Sequence, residues 1–172
     1  MLRRSLGVLY HRNVSVFDVY AARMILEGIG ATAALTTVYG VLWLSGVVNT
    51  IEKPGTLFFA WILLWLLGSA TTLVVAALSE LYESVERFYQ PIQYLAVPLS
   101  GIFFMVDWIP QKYQYYILFN PITDCIEMFR DGYFGDAVVT HYSVSYVLSC
   151  ILVLTWVGLH SLTRARNRFS QA

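Results

Sequence analysis

The 172-residue chain is 58% hydrophobic and only 13% charged, against about 25% charge in an average soluble domain. Eleven basic and eleven acidic residues cancel, so no basic field points to nucleic acid as a partner. Two cysteines are too few for a disulfide framework, and no His/Cys spacing suggests a metal site.

Four stretches carry no Asp, Glu, Lys or Arg: Gly28–Ile51, Pro54–Ser79, Phe88–Val106 and Ala137–Thr163. Lipid offers a bare backbone no hydrogen-bond partner, so uncharged apolar runs of about 18 or more residues read as membrane-spanning helices. The fold class expected is therefore an all-α membrane protein forming one transmembrane domain over residues 1–172. Its spans should lie near 24–48, 57–78, 88–106 and 141–162. Residues 1–23 precede them as a cytoplasmic segment, and residues 107–140 form an outer, re-entrant segment.

In the first segment, Ser15 and Asp18 stand three apart as in a capping box, so a helix should begin near Val16 and run into the first span. Arg23 and Glu27 are four apart, which suits a local ion pair at the membrane edge. Gly30 and Ala34, like Gly28 and Thr32, form a small-xxx-small pattern that lets another helix approach closely; an ordinary apolar helix accounts for it too. The second run is bulky in its first half (Phe58, Phe59, Trp61, Trp65) and small in its second, as an interfacial aromatic belt would be. Pro91 and Pro98 interrupt the third run, and a proline frees a carbonyl that lipid cannot satisfy. A kinked helix packed against protein is the expectation there.

Between the third and fourth runs comes the most informative local pattern. It reads Asp107-Trp108-Ile109-Pro110, then Tyr113, Tyr115, Tyr116, then Phe119-Asn120-Pro121-Ile122. Asn120 can cap a helix and Pro121 fits its first position. Ile122, Ile126, Phe129 and Tyr133 would share one face, with Thr123, Glu127 and Arg130 on another. Gly132 is placed to end the helix. Pro121–Asp131 is too short to cross a bilayer, so it should lie in, or dip into, the outer, periplasmic-side interface as an amphipathic or re-entrant helix.

Charge sets the orientation. Arg3, Arg4, Arg12, Arg23, Arg87, Arg164, Arg166 and Arg168 fall on one side of four crossings; only Lys53, Lys112 and Arg130 fall on the other, beside six acids. The positive-inside rule then puts both termini in the cytoplasm. The chain has no phosphate-binding Gly-rich loop, no His-Glu-x-x-His and no Gly-x-Ser-x-Gly, so no catalytic residue, cofactor or metal ligand is assigned.

These features resemble the permease subunits of ABC-type polysaccharide exporters, which carry capsule or O-antigen out of bacteria. The resemblance rests on Glu80 to Gly135: an acidic, aromatic connector, a Pro-interrupted span, Trp108-Ile109-Pro110, the Tyr-rich stretch, Phe119-Asn120-Pro121, and the helix end from Glu127 to Gly132. Arg12 to Glu27 is similar to the segment leading into the family's third span. Family members usually have six spans, and this chain matches the last four, as though N-terminally truncated. Prolines common between positions 12 and 18 in the family are absent here. The resemblance implies a homodimer in the bacterial inner membrane, in contact with lipid, with a separate ATPase docked on its cytoplasmic face. Leu6, Leu9, Tyr10, Arg12 and Phe17 would make that contact; a basic stretch touching headgroups accounts for them too. The polysaccharide would pass between the two copies, with Tyr113, Tyr115, Tyr116 and Phe119 offering ring faces to sugar C–H groups; each of these residues also suits an aromatic membrane belt. Asn120, Pro121, Glu127 and Arg130 define the outer helix. Two other readings remain: a permease for a drug, lipid or teichoic-acid-like polymer, and a structural or assembly subunit with no transport path.

Overall fold

The computed structural model describes residues 16–169, which are helical with no strand among them. Residues 1–50 and 51–172 form two units. In the first, α1 is described over Val16–Leu44; Ser15 of the expected capping pair lies outside the described residues. It is long and apolar enough to cross a membrane over Asp18–Leu44. Its threonines are compatible with lipid because each hydroxyl returns to a carbonyl of the preceding turn: Thr32 Oγ1 to Gly28 O at 2.7 Å and Thr37 Oγ1 to Ala33 O at 2.7 Å. Arg23 Nε and Glu27 Oε1 pair at 2.9 Å on its exposed face. Gly46, with φ 72°, ends the helix by a left-handed turn. Within the small-residue stripe, Gly30 has no described atom within 4 Å of an added Cβ.

The second unit is built on α2, Pro54–Leu81, and α6, Val144–Phe169. Both contain stretches long and apolar enough to cross a membrane, Pro54–Ser79 and Val144–Thr163. Ala60, Leu63 and Leu67 share a buried core with Val147 and Ile151, and further along Gly158 lies against Leu73 and Val74. Residue numbers rise together along the contact, so the two helices run parallel. A chain that leaves the far end of α2 and re-enters at the near end of α6 must return once along their length.

That return begins with α3, Glu83–Leu99, which packs on α2. The expected span over 88–106 is not one helix: α3 starts earlier and stops at Leu99. Pro91 is accommodated, but Pro98 lacks an N–H for the ladder. Ser100 then turns the chain, its N–H and hydroxyl both donating to Val97 O, and Gly101 takes φ 80°. Three helices, not four, are thus long and apolar enough to cross a membrane among the described residues.

After a single 3-10 turn at Val106–Trp108, α4 (Gln111–Leu118) and α5 (Pro121–Phe134) form a helical hairpin. Here α5 runs antiparallel to α2: Gly132 touches Leu57, the Phe129 and Trp61 rings lie 6.5 Å apart, and Cys125 and Met128 enter the core. The helix continues past Gly132, which is interior. Gly135 ends it, at φ 58°. A side chain at 132 would strike Leu57, so glycine stands there for close approach and not for chain reversal.

Candidate functional site

The bottom turn of the hairpin sits at the end of α3. Asn120 Oδ1 accepts the N–H of Ile122 at 3.1 Å and its Nδ2 donates to Leu99 O at 3.3 Å. One residue therefore caps α5 and binds a carbonyl at the C-terminus of α3. Pro121 occupies the first helical position.

One turn further, α5 presents a polar face inward. Thr123, Asp124 and Glu127 are buried, whereas Ile122, Ile126, Phe129 and Tyr133 are only half-buried. A helix lying with one apolar face in an interface would show the reverse. The cause is that α5 is covered on two sides, by α2 and by the segment following α3.

Glu127 is completely buried. Its Oε1 accepts from Arg130 Nη1 at 2.8 Å and from the Val106 N–H at 3.3 Å. Its Oε2 accepts from the His141 N–H at 3.3 Å. The Arg130 guanidinium in turn donates to the carbonyls of Phe104 (2.7 Å), Ile102 (3.1 Å) and Gly101. A buried carboxylate is stable only when paired and fully hydrogen-bonded, and this one receives three donors. The pair ties together the break after α3, the middle of α5 and the approach to α6.

Asp124, almost fully buried, accepts the Ser143 N–H at 2.7 Å just before the N-terminus of α6. Burial pushes its carboxyl up to about 6, against the Ser143 bond, which favours the charged form. Its Oδ2 and the Thr123 hydroxyl have no hydrogen-bond partner among the described residues.

At the Pro54 end, Lys53 Nζ reaches Asp136 at 2.7 Å and Asp131 at 3.2 Å, and the Tyr142 hydroxyl donates to Asp131 at 3.0 Å. These hydrogen bonds hold the Lys53 ammonium above its usual range and the Asp136 carboxyl below its own. The Lys53 N–H donates to Gly132 O at 2.9 Å, so the start of α2 is closed by the end of α5. Sequence reasoning missed this cluster; its only signal was a lone cation just before Pro54.

Of the aromatic candidates, Tyr115, Tyr116 and Phe119 share a stripe on α4, while Tyr113 stands to one side beneath Lys112, whose Nζ is 5.9 Å from its ring. All four are exposed, as is Trp108, and α4 buries no residue. The Phe119 carbonyl accepts from the Tyr146 hydroxyl at 2.7 Å, which fixes the base of this ridge to α6. Leu6, Leu9, Tyr10 and Arg12 lie outside the described residues, and of Phe17 only the helical backbone is described.

A pair of parallel apolar helices, a return helix that breaks, and a capped hairpin whose α5 arm is buried beside them fit a polytopic membrane protein. The sequence matches the ABC-2 type transporter membrane family over residues 4–134, and the chain belongs to that family. It is 39% identical over 161 residues to the capsule polysaccharide export inner-membrane protein CtrC of Neisseria meningitidis serogroup A, covering 92% of this chain and 60% of that protein. It is 34% identical to the capsule polysaccharide export inner-membrane protein BexB of Haemophilus influenzae, covering 90% and 58%. It is 24% identical to the polysialic acid transport protein KpsM of Escherichia coli, covering 94% and 62%. The chain thus spans about 60% of the length of these relatives.

Proposed function

We propose that this chain acts as the membrane permease subunit of an ABC exporter that carries polysaccharide across a bacterial inner membrane. The observation that carries this reading is the likeness, over nine-tenths of the chain, to proteins named for capsule polysaccharide export. ATP hydrolysis is assigned to a separate partner chain, and two permease copies enclose the path.

The parallel course of α2 and α6 supports four crossings. With α1 and α2 connected across the outer side, α3 and the extended chain after it make the third crossing, a broken one. The hairpin α4–α5 then enters from the outer face and leaves by it, because its bottom turn meets Leu99 and its end returns to Lys53. In this placement Tyr113, Tyr115 and Tyr116 lie along the way down from the outer face, and Phe119 stands at the bottom turn. Their ring faces suit sugar C–H groups, and their hydroxyls suit water.

Coupling to the ATPase is assigned to Ser5–Phe17. Leu6, Leu9 and Tyr10 would fill an apolar cleft, Arg12 would pair with an acid at its rim, and Phe17 would join this contact to α1. Lipid attraction needs charge without shape, so Leu9→Asp with one compensating extra Arg separates the two roles. In cells carrying the exporter, that variant should insert normally, lose the ATPase on purification and leave no polysaccharide on the surface. Retained ATPase together with normal export would contradict the coupling assignment. Normal surface polysaccharide in cells lacking the chain altogether would contradict the export reading itself.

A further inference from the structure

Three kinds of surface run along α3. Val85, Tyr89 and Ala96 are half-buried towards the bundle. Phe88, Ile92, Leu95 and Leu99 form an exposed apolar edge, which suits acyl chains. Gln90, Gln93 and Tyr94, at spacings of three and four, form an exposed polar edge on the opposite side, with Arg87 one turn before. Neither glutamine amide has a hydrogen-bond partner among the described residues.

A polar edge on a helix is unremarkable at a membrane surface, where the helix can lie flat with its amides in water. Here α3 cannot lie flat. It leaves the far end of α2 at Tyr82 and reaches Asn120 at the start of α5, on the return that parallel α2 and α6 require. Gln90 and Gln93 are two and five residues past the start of the expected span at 88, roughly 3–8 Å into it at about 1.5 Å per residue. At that depth hydrocarbon leaves their four amide hydrogens and two carbonyl oxygens unsatisfied.

We propose that the Gln90–Gln93–Tyr94 edge faces a water-filled path and binds the hydroxyl groups of the glycan in its inner part. The ligand class rests on the export reading; the hydration of this edge does not. Neutral amides both donate and accept, so they match hydroxyls that do the same, and they hold successive sugars without the charge that would arrest a polymer. Recognition would then differ along the route: amides in the inner part, aromatic rings along the way down from the outer face.

Single cysteines at 88, 90, 92, 93 and 95, in membranes holding the assembled exporter, test the hydration. A small hydrophilic thiol reagent should label positions 90 and 93 at least tenfold faster than 88, 92 and 95, over the background of Cys125 and Cys150. Equal rates around the helix, or no labelling anywhere, would overturn the proposal. Disulfide-linked dimers through 90 or 93 without labelling would assign the edge to a second copy, and would overturn it too. For the ligand, the double variant Gln90→Leu, Gln93→Leu should lower surface polysaccharide at least tenfold at unchanged chain level, and Gln90→Asn, Gln93→Asn should retain most of it. Normal export by the leucine pair would overturn the glycan contact. The labelling pattern stands or falls whatever cargo the exporter carries, so a failed export reading and a failed hydrated edge give different results.

Discussion

Arg130→Met should cost about 3–5 kcal/mol of stability, the range for removing one partner of a buried ion pair. The variant keeps an apolar side chain of similar length but leaves the fully buried Glu127 with only two backbone N–H donors, from Val106 and His141. It also strips three carbonyls, those of Gly101, Ile102 and Phe104, of their guanidinium donor. The loss falls where α3 breaks, so the hairpin should detach from the end of α3. Glu127→Gln should be milder, because the remaining amide oxygen can still accept from Arg130 and the Val106 N–H, and the Arg130 charge keeps the Gly101, Ile102 and Phe104 carbonyls, although the amide NH2 then faces the His141 N–H. Denaturation midpoints in detergent, with surface polysaccharide as the second readout, check the order. Equal midpoints for the two variants would show that the pair is not desolvated as described.

Gly132→Val should be nearly as damaging. A Cβ at 132 would lie 2.5 Å from the Leu57 nitrogen and 2.6 Å from its Cα. These are backbone atoms near the start of α2, which cannot swing aside as a side-chain tip can. Forcing the helices apart costs about 1–3 kcal/mol in a packed core, and here it would also strain the Lys53 to Gly132 hydrogen bond. Gly158→Ala should cost less, since its nearest neighbours are the side-chain atoms Leu73 Cγ at 2.8 Å and Cδ2 at 3.0 Å, with the first backbone atom, Val74 N, at 3.2 Å. Gly30→Ala, with nothing within 4 Å, should gain up to about 1 kcal/mol from helix propensity. Measured stabilities falling in another order would contradict the packing described.

Much of this architecture was legible in the sequence because hydrophobic length and helix capping are local signals. Charge-free runs marked α1, α2 and α6, and the Asn120-Pro121 pair marked the start of α5 to the residue. The break in α3 was announced by Pro98 and Gly101, yet an uncharged run continues through it to Val106, and run length alone cannot register a lost helical ladder. Gly132 misled for a related reason: glycine near a helix end signals reversal when nothing is packed there, and only the tertiary contact with Leu57 shows it to be a point of close approach. Glu127 and Arg130 were visible as a pair three apart, but their burial was not. A solvated ion pair and a buried one have the same spacing. What separates them is the company of Gly101, Phe104 and Val106, more than twenty residues away in the chain.

The most direct test of the central claim is the side of the membrane on which Ser84 lies. Four crossings with α3 as the third place Ser84 and Asn167 inside the cell, and Lys53 and Asp136 outside. In intact cells, with the outer membrane opened where there is one, a membrane-impermeant reagent should label cysteines at 53 and 136 and leave those at 84 and 167 unlabelled until the inner membrane is broken. Labelling of position 84 from outside would contradict the topology, and with it the path through the membrane on which the export reading depends.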